Sequence, residues 1–384
     1  MISPTVFVLG VVSLLTDLSS EMIYPLLPVF LSNVLGAEAV ALGMIEGVAE
    51  ATASIMKVFS GIWTDRAGKR KPLIVWGYGL AGFARPLIGL AGAWPHVLFL
   101  RFADRIGKGI RTSPRDALIA DVTEPADRGS AYGVQRSMDH IGGVLGPLVA
   151  AGCMSFFGIP LRTVFVLAAV PAVLAFATLI FGVREPARHA TVKSSAVVPG
   201  QWKNLDRNFR FFLLSVFLFT LGNSADAFLL LRLTNSGVEP AWIALLWSLH
   251  HVVKTTSTYY GGRVSDRLGR RPMIVVGWIY YAVIYGGFAL IDGTTALIAI
   301  FLAYGAYFGF CEPSERALIA DLAPTELRGT AFGVFHFIVG IGALPASALF
   351  GLIWKYWGSS AAFLTGAVLA LLASITLFLI KIKQ

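Results

Sequence analysis

The chain has 384 residues, 56% hydrophobic and only 14% charged, with a formal net charge of +9. Soluble domains carry about 25% charged residues, so an ordinary globular enzyme is excluded, and the 27 Phe, 11 Tyr and 9 Trp exclude a disordered chain. The positive charge falls in short links between long apolar blocks, where it sets membrane topology, so no nucleic-acid partner is expected.

Taken in chain order, the blocks lie near 5–31, 39–63, 73–92, 96–119, 130–153 and 160–182. A polar stretch from Val183 to Asn208 follows. Six more blocks lie near 210–233, 240–261, 273–291, 295–319, 330–353 and 359–380. Each is long enough for a membrane-crossing helix of about 20 residues, and none has the dyad alternation of a barrel strand. The pattern predicts an all-α membrane protein. Twelve transmembrane helices are expected, six on either side of a cytoplasmic linker over 184–208; the internal repeat between the halves makes these two six-helix bundles, 1–183 and 209–384. Met1-Ile2-Ser3-Pro4 has no basic n-region and the first apolar run continues to about Leu31, so no cleaved signal peptide is expected.

Basic residues orient the spans. Arg66, Lys69, Arg70 and Lys71 follow span two, and Arg263, Arg267, Arg270 and Arg271 follow span eight. The central stretch holds Arg184, Arg188, Lys193, Lys203 and Arg207, and the tail holds Lys381 and Lys383. The opposite links carry almost none, with Arg162 and Lys355 as exceptions. This predicts an inner-membrane protein with both termini in the cytoplasm.

Ionisable groups within the spans are costly, about 2.5–3.5 kcal/mol each at the bilayer centre on insertion scales, and are functional candidates by default. At 100° per residue, Asp17 and Glu21 share one face of span one, near Ser13 and Tyr24. Glu46, Glu50 and Lys57 share a face of span two. Arg101, Arg105, Lys108, Arg111 and Arg115 form a basic stripe on span four. Arg136, Asp139 and His140 share a face of span five. An acidic stripe on spans one and two is thus expected to oppose a basic one on spans four and five. Asp17, Glu21, Glu46, Glu50 and Asp139 are the proton-coupling candidates. Tyr24, Arg105, Lys108, Arg136 and His140 are substrate-binding candidates. In the second half these are Asn223, Asp226, His250, Lys254, Glu312 and His336. Arg101, Arg111 and Arg115 lie nearer the helix ends, where snorkelling is expected. The histidines lack zinc-site spacing, and Cys153 and Cys311 suggest no disulfide, so neither metal nor cofactor is expected. No hydrolase, metalloprotease or phosphate-loop motif is present, so no enzyme is expected.

The halves repeat. Gly61-Ile-Trp-Thr-Asp65-Arg66-Ala-Gly68-Lys69-Arg70-Lys71-Pro72 matches Gly262-Arg-Val-Ser-Asp266-Arg267-Leu-Gly269-Arg270-Arg271-Pro272. The aspartates are 201 residues apart. Ala117-Leu-Ile-Ala-Asp121 recurs as Ala317-Leu-Ile-Ala-Asp321, and Arg128-Gly129 as Arg328-Gly329, both at an offset of 200. Parallel repeats of this kind place a substrate site at the midplane.

The doubled Gly-x-x-x-Asp-Arg-x-Gly-basic-basic link resembles the signature of the major facilitator superfamily. The resemblance covers the whole chain and implies that family's fold and alternating access. Span five carries Gly133, Gly142 and Gly146-Pro147, similar to the antiporter motif of the family, although its final glycine pair is here Ala150-Ala151. Tyr24-Pro25-Leu-Leu-Pro28 resembles the end of span one in efflux members. In span four Asp104 and Arg105 replace a Gln-Gly pair of the family pattern. The resemblance also implies a cytoplasmic latch for the outward-open state. It pairs Asp65 and Asp266, and the basic residue four later (Lys69, Arg270), with Asp121 and Asp321.

These features predict a secondary transporter. It exchanges protons for a small organic solute, anionic or amphipathic because the cavity candidates carry excess positive charge, and works as a monomer in the lipid bilayer. The alternative is a proton symporter importing an anionic nutrient or a metal chelate. A receptor or scaffold has no need of paired polar faces.

Overall fold

The computed structural model describes residues 2–37, 39–185, 207–238 and 240–379. The side chain of Glu46 lies outside the described residues, as do Arg188, Lys193, Lys203, Lys381 and Lys383. Among the described residues the chain is helical in twelve spans, with no strand. They are α1 (Pro4–Glu21), α2 (Ala39–Ala67), α3 (Lys71–Leu87), α4 (Trp94–Asp121), α5 (Arg128–Phe157) and α6 (Leu161–Gly182). The second half holds α7, in two pieces (Arg207–Gly222 and Ala227–Asn235), α8 (Pro240–Leu268), α9 (Arg270–Leu290) and α10 (Thr294–Leu322). The stretch Arg328–Leu379 holds α11 and α12, divided at Gly358, whose φ of 86° no helix accommodates.

Among the described residues, seven stretches are by length and composition apolar enough to cross a membrane: Pro4–Leu26, Lys71–Leu90, Pro125–Phe157, Leu161–Gly182, Arg270–Leu290, Thr294–Leu322 and Thr325–Leu379. The last contains both α11 and α12. Outside this set are the broken α7 and the polar α2, α4 and α8, so the most charged helices are those that must turn a face away from lipid. Helices α2 and α8 run past their apolar blocks, to Ala67 and Leu268. Both stop at a left-handed glycine, Gly68 (φ 65°) or Gly269 (φ 94°), a conformation that L side chains resist.

The chain divides into two compact units. The first contains α1–α4, α6, α5 from Met138 onward and the start of α11 as far as Phe337. The second contains α7–α10, α12, the start of α5 through Ser137, and α11 from Ile338. In the first, α3 and α4 meet at Gly77 and Gly107, where a Cβ on either would lie 2.6 Å from the other's carbonyl. An apolar core of Ile23, Leu27, Phe30, Ile88, Val164 and Phe165 closes the end away from the Asp65 link. In the second, Trp278, Tyr281, Tyr285, Phe288 and Phe301 are wholly buried, and Phe219 stacks on Trp278 at 4.9 Å.

Candidate functional site

Each unit is built around an aspartate that finishes a helix and caps another. A helix N-terminus leaves unpaired N–H groups and a positive dipole end. In the first unit Asp65, at the end of α2, accepts from Gly329 N at 3.0 Å, Thr330 N at 2.6 Å and Thr330 Oγ1 at 2.8 Å, the first turn of α11. In the second unit Asp266, at the end of α8, accepts from Gly129 N at 2.8 Å and Ser130 N at 2.7 Å, the first turn of α5, and from Ser130 Oγ. The backbones touch there: Gly61 abuts Gly329, and Gly262 abuts Gly129. This capping is why the starts of α5 and α11 belong to the other unit.

Guanidinium groups complete both arrangements. Arg270 bonds Asp266 and reaches Asp321 at 3.4 Å, while Arg128 also bonds Asp321. In the first unit Arg328 bonds Asp121 at 2.9 Å. The residue that joins Asp65 (2.8 Å) to Asp121 (2.9 Å) is Arg70, which is wholly buried, and not Lys69, which is exposed. The first link has one residue more between its aspartate and its proline, so Arg70 and Arg270 match at an offset of 200 and Lys69 does not. Burial alone would pull the Arg70 pKa down, but Asp121 and Asp65 outweigh it and hold the value above the ordinary one. Arg66 and Arg267 are exposed.

The charged faces of α1, α2, α4 and α5 gather within the first unit. Lys108 lies in the field of Glu50, Asp17 and Glu21 together. Asp17 also lies in the fields of Asp139 and Arg111. Asp17 and Glu21 are half-buried and Glu50 is exposed; among the described residues none of their carboxylates is hydrogen-bonded. Asp139 and His140 are buried on α5. Arg101, Arg111 and Arg115 do not snorkel: they are 5%, 4% and 4% exposed. Arg101 lies over the half-exposed Tyr24 ring at 5.3 Å, Arg111 over Tyr78 at 4.1 Å, and Arg115 bonds Asp116 at 2.9 Å. Neighbouring carboxylates and rings make these positions affordable inside the bundle.

Arg85 and Asp116 of the cluster escaped the sequence reading, and Asp104 figures in it only as a departure from the family pattern. Arg85 of α3 bonds Asp104 at 2.7 Å and the Thr16 carbonyl of α1 at 2.9 Å. Asp104 also takes Arg101 at 3.5 Å and Arg105 at 3.9 Å. Asp116, wholly buried, bonds His336 at 2.9 Å. The available signal was Arg85 itself, a lone arginine in an otherwise apolar span.

The glycines of α5 divide between the units. Gly133 abuts Thr258 and Gly262 of α8. Gly142 and Gly146, with Pro147 after them, lie on α1: a Cβ on Gly142 would be 2.9 Å from the Asp17 Cβ, and one on Gly146 would be 2.9 Å from the Leu18 carbonyl and closer still to Glu21. In the second unit the equivalent Gly342 packs on Phe217 and Thr220 of α7.

The second unit pairs its candidates with one another or with rings. Arg136 grips Glu312 with two bonds, 2.7 Å and 3.1 Å. Tyr281 donates to Asn223 at 3.2 Å, and Tyr304 to Asp226 at 3.1 Å. Lys254 lies 3.6 Å from the Phe308 ring centre, and His250 stacks against Phe301 and Tyr304.

The family model of the Major Facilitator Superfamily matches residues 9–346 and 228–384. The chain belongs to this superfamily. An uncharacterised MFS-type transporter of Methanocaldococcus jannaschii is 31% identical over 385 residues, covering 99% of this chain and 95% of that one. Sugar efflux transporter A of Dickeya chrysanthemi is 24% identical over 378 residues, covering 97% and 94%. The crystal structure of the human organic anion transporter MFSD10 matches with a TM-score of 0.79 over 97% of this chain and 99% of that one; at 16% identity this concerns the fold alone. The protein is therefore a multi-pass membrane transporter of the major facilitator fold.

For this superfamily member the Arg70 geometry makes a prediction. Arg70→Ala leaves the buried Asp65 and the half-buried Asp121 without their shared cation and is expected to destabilise by about 3–5 kcal/mol. Lys69→Ala is expected to stay within about 0.5 kcal/mol. Thermal unfolding of the purified variants, followed by tryptophan fluorescence, checks this; equal losses would return the role to Lys69.

Proposed function

We propose that this transporter is a proton-coupled antiporter that expels a small organic solute, anionic or amphipathic, by alternating access of its N-terminal (1–183) and C-terminal (209–384) bundles. It works as a monomer in the inner membrane with both ends of the chain cytoplasmic. The observation that carries the reading is the seating of Gly142 and Gly146 on α1 at Asp17 and Glu21. The motif resembling that of antiporters thus brings α5 backbone against α1 at Asp17 and Glu21, whose carboxylates are the candidates to take up a proton. The repeat strengthens the point. The equivalent of Asp17 in α7 is Phe217, which packs on Gly342 in the same manner. Close glycine packing therefore does not need a carboxylate, and Asp17 has another use.

The charge of the first unit supports an anionic solute. Arg85, Arg101, Arg105, Lys108, Arg111 and Arg115 come from α3 and α4 alone, and Asp104 and Asp116 answer only part of that charge on those helices. The name of the Dickeya relative, an efflux transporter, agrees in direction.

The test uses inverted membrane vesicles acidified by respiration. Adding a transported solute should carry protons out of the lumen and reverse the quenching of a pH-sensitive dye. A panel of organic anions is run beside lipophilic cations. Deeper quenching with solute would indicate symport, and a response to cations alone would overturn the anionic assignment.

A further inference from the structure

The start of α11 brings a histidine into the first unit. His336 is 8% exposed, and its Nε2 lies 2.9 Å from Oδ2 of Asp116 on α4. The other oxygen, Oδ1, accepts from Arg115 Nε at 3.0 Å and Nη2 at 2.9 Å. The repeat shows what His336 stands in for. Two hundred residues earlier in the chain is Arg136 of α5, held by Glu312 of α10 in the second unit. Each unit thus takes a cation from an incoming helix and meets it with a carboxylate on α4 or α10. One cation is an arginine, charged at every working pH. The other is a histidine, whose charge changes between about pH 5 and 8.

We propose that the Asp116–His336 pair is a proton-binding clasp, which holds α11 on α4 when protonated and loosens when it gives the proton up. The surroundings suit such a switch. Neutral His336 can still donate from Nε2, and Asp116 keeps its two bonds to Arg115, so loss of the proton removes a charge attraction without leaving a buried carboxylate unpaired. Asp116 of α4 faces it directly with Arg115 behind, and the backbone carbonyl of Lys57 in α2 abuts Gly333, one turn before His336. Arg115 itself lies in the fields of Asp139 from α5 and Tyr78 from α3. Binding and closure are linked, so acid favours the clasped state and alkali the released one. The clasp's part in transport rests on the alternating-access reading above, in which α11 has to leave α4; its protonation does not.

Spin labels on Thr123 and Glu326 of the full chain, in lipid nanodiscs without solute, report the distance between the ends of α4 and α11. Between pH 8 and pH 5.5 the ratio of short to long distances should rise about tenfold or more in the parent protein. It should change less than about twofold in His336→Arg, which restores the permanent cation of the repeat, and in His336→Gln, which keeps a neutral donor. A histidine that only packs would give a flat profile in the parent. That result, or a parent-like slope in His336→Gln, overturns the clasp. A flat profile would leave the antiport reading standing, and failure of antiport in vesicles would leave this titration standing.

Discussion

Asp17→Asn is expected to abolish proton-driven solute accumulation while leaving solute–solute counterflow intact. The carboxylate is half-buried on α1, among Asp139, Lys108 and Arg111, and among the described residues it has no hydrogen bond to fix its charge state. A group so placed is costly in a membrane and persists for a use. Asn has nearly the same volume and cannot carry the proton. Coupled uptake should fall by at least ~100-fold, the scale on which loss of a proton-transfer group is felt. Counterflow requires only that the solute bind and the protein reorient. Asp104→Asn is the contrasting case: it removes the negative charge opposite Arg85 and should lower stability and both modes of transport together. Full coupled uptake by Asp17→Asn would sink the assigned role, and loss of both modes would make the residue structural.

Gly142→Ala is expected to damage transport far beyond what one methyl group suggests. The added carbon would meet the Leu14 carbonyl, the Asp17 Cβ at 2.9 Å and the Leu18 nitrogen at 2.9 Å, so the obstruction is largely α1 backbone. Backbone cannot rotate away as a side-chain tip can; one helix must move off the other. Overpacking of this kind costs about 1–3 kcal/mol, and the same displacement carries Asp17 away from Asp139. Gly342→Ala in α11 meets mainly side-chain atoms of Thr220 and Phe217, which can yield. The first substitution should therefore lower both the unfolding temperature and coupled transport, and the second should do so much less. Measuring both on purified protein in proteoliposomes gives the comparison. Equal behaviour of the pair would show that close approach of α5 to α1 has no special part in coupling.

Much of this molecule is legible along one dimension. The twelve spans follow from hydropathy, because lipid admits only segments that satisfy their own backbone hydrogen bonds. The duplication, with its aspartates at 65, 121, 266 and 321, follows from spacing; their ion pairing is what the family resemblance implied, and each of the four holds an ion pair. The shared face of Asp17 and Glu21, and the place of Lys108 in the stripe of α4, follow from the helical period.

What period and spacing leave open is which neighbour covers a given face. That choice belongs to packing between helices distant in sequence. It gave the bridging role to Arg70 instead of Lys69, and it buried Arg101, Arg111 and Arg115, whose nearness to the helix ends had suggested snorkelling. It joined Arg85 to Asp104 across 19 residues, Arg136 to Glu312 across 176 and His336 to Asp116 across 220. A helix's own residues determine which side is polar; only the tertiary structure decides which charge stands opposite, because a buried ion is stabilised by the particular partner within hydrogen-bond reach and not by its place in the chain.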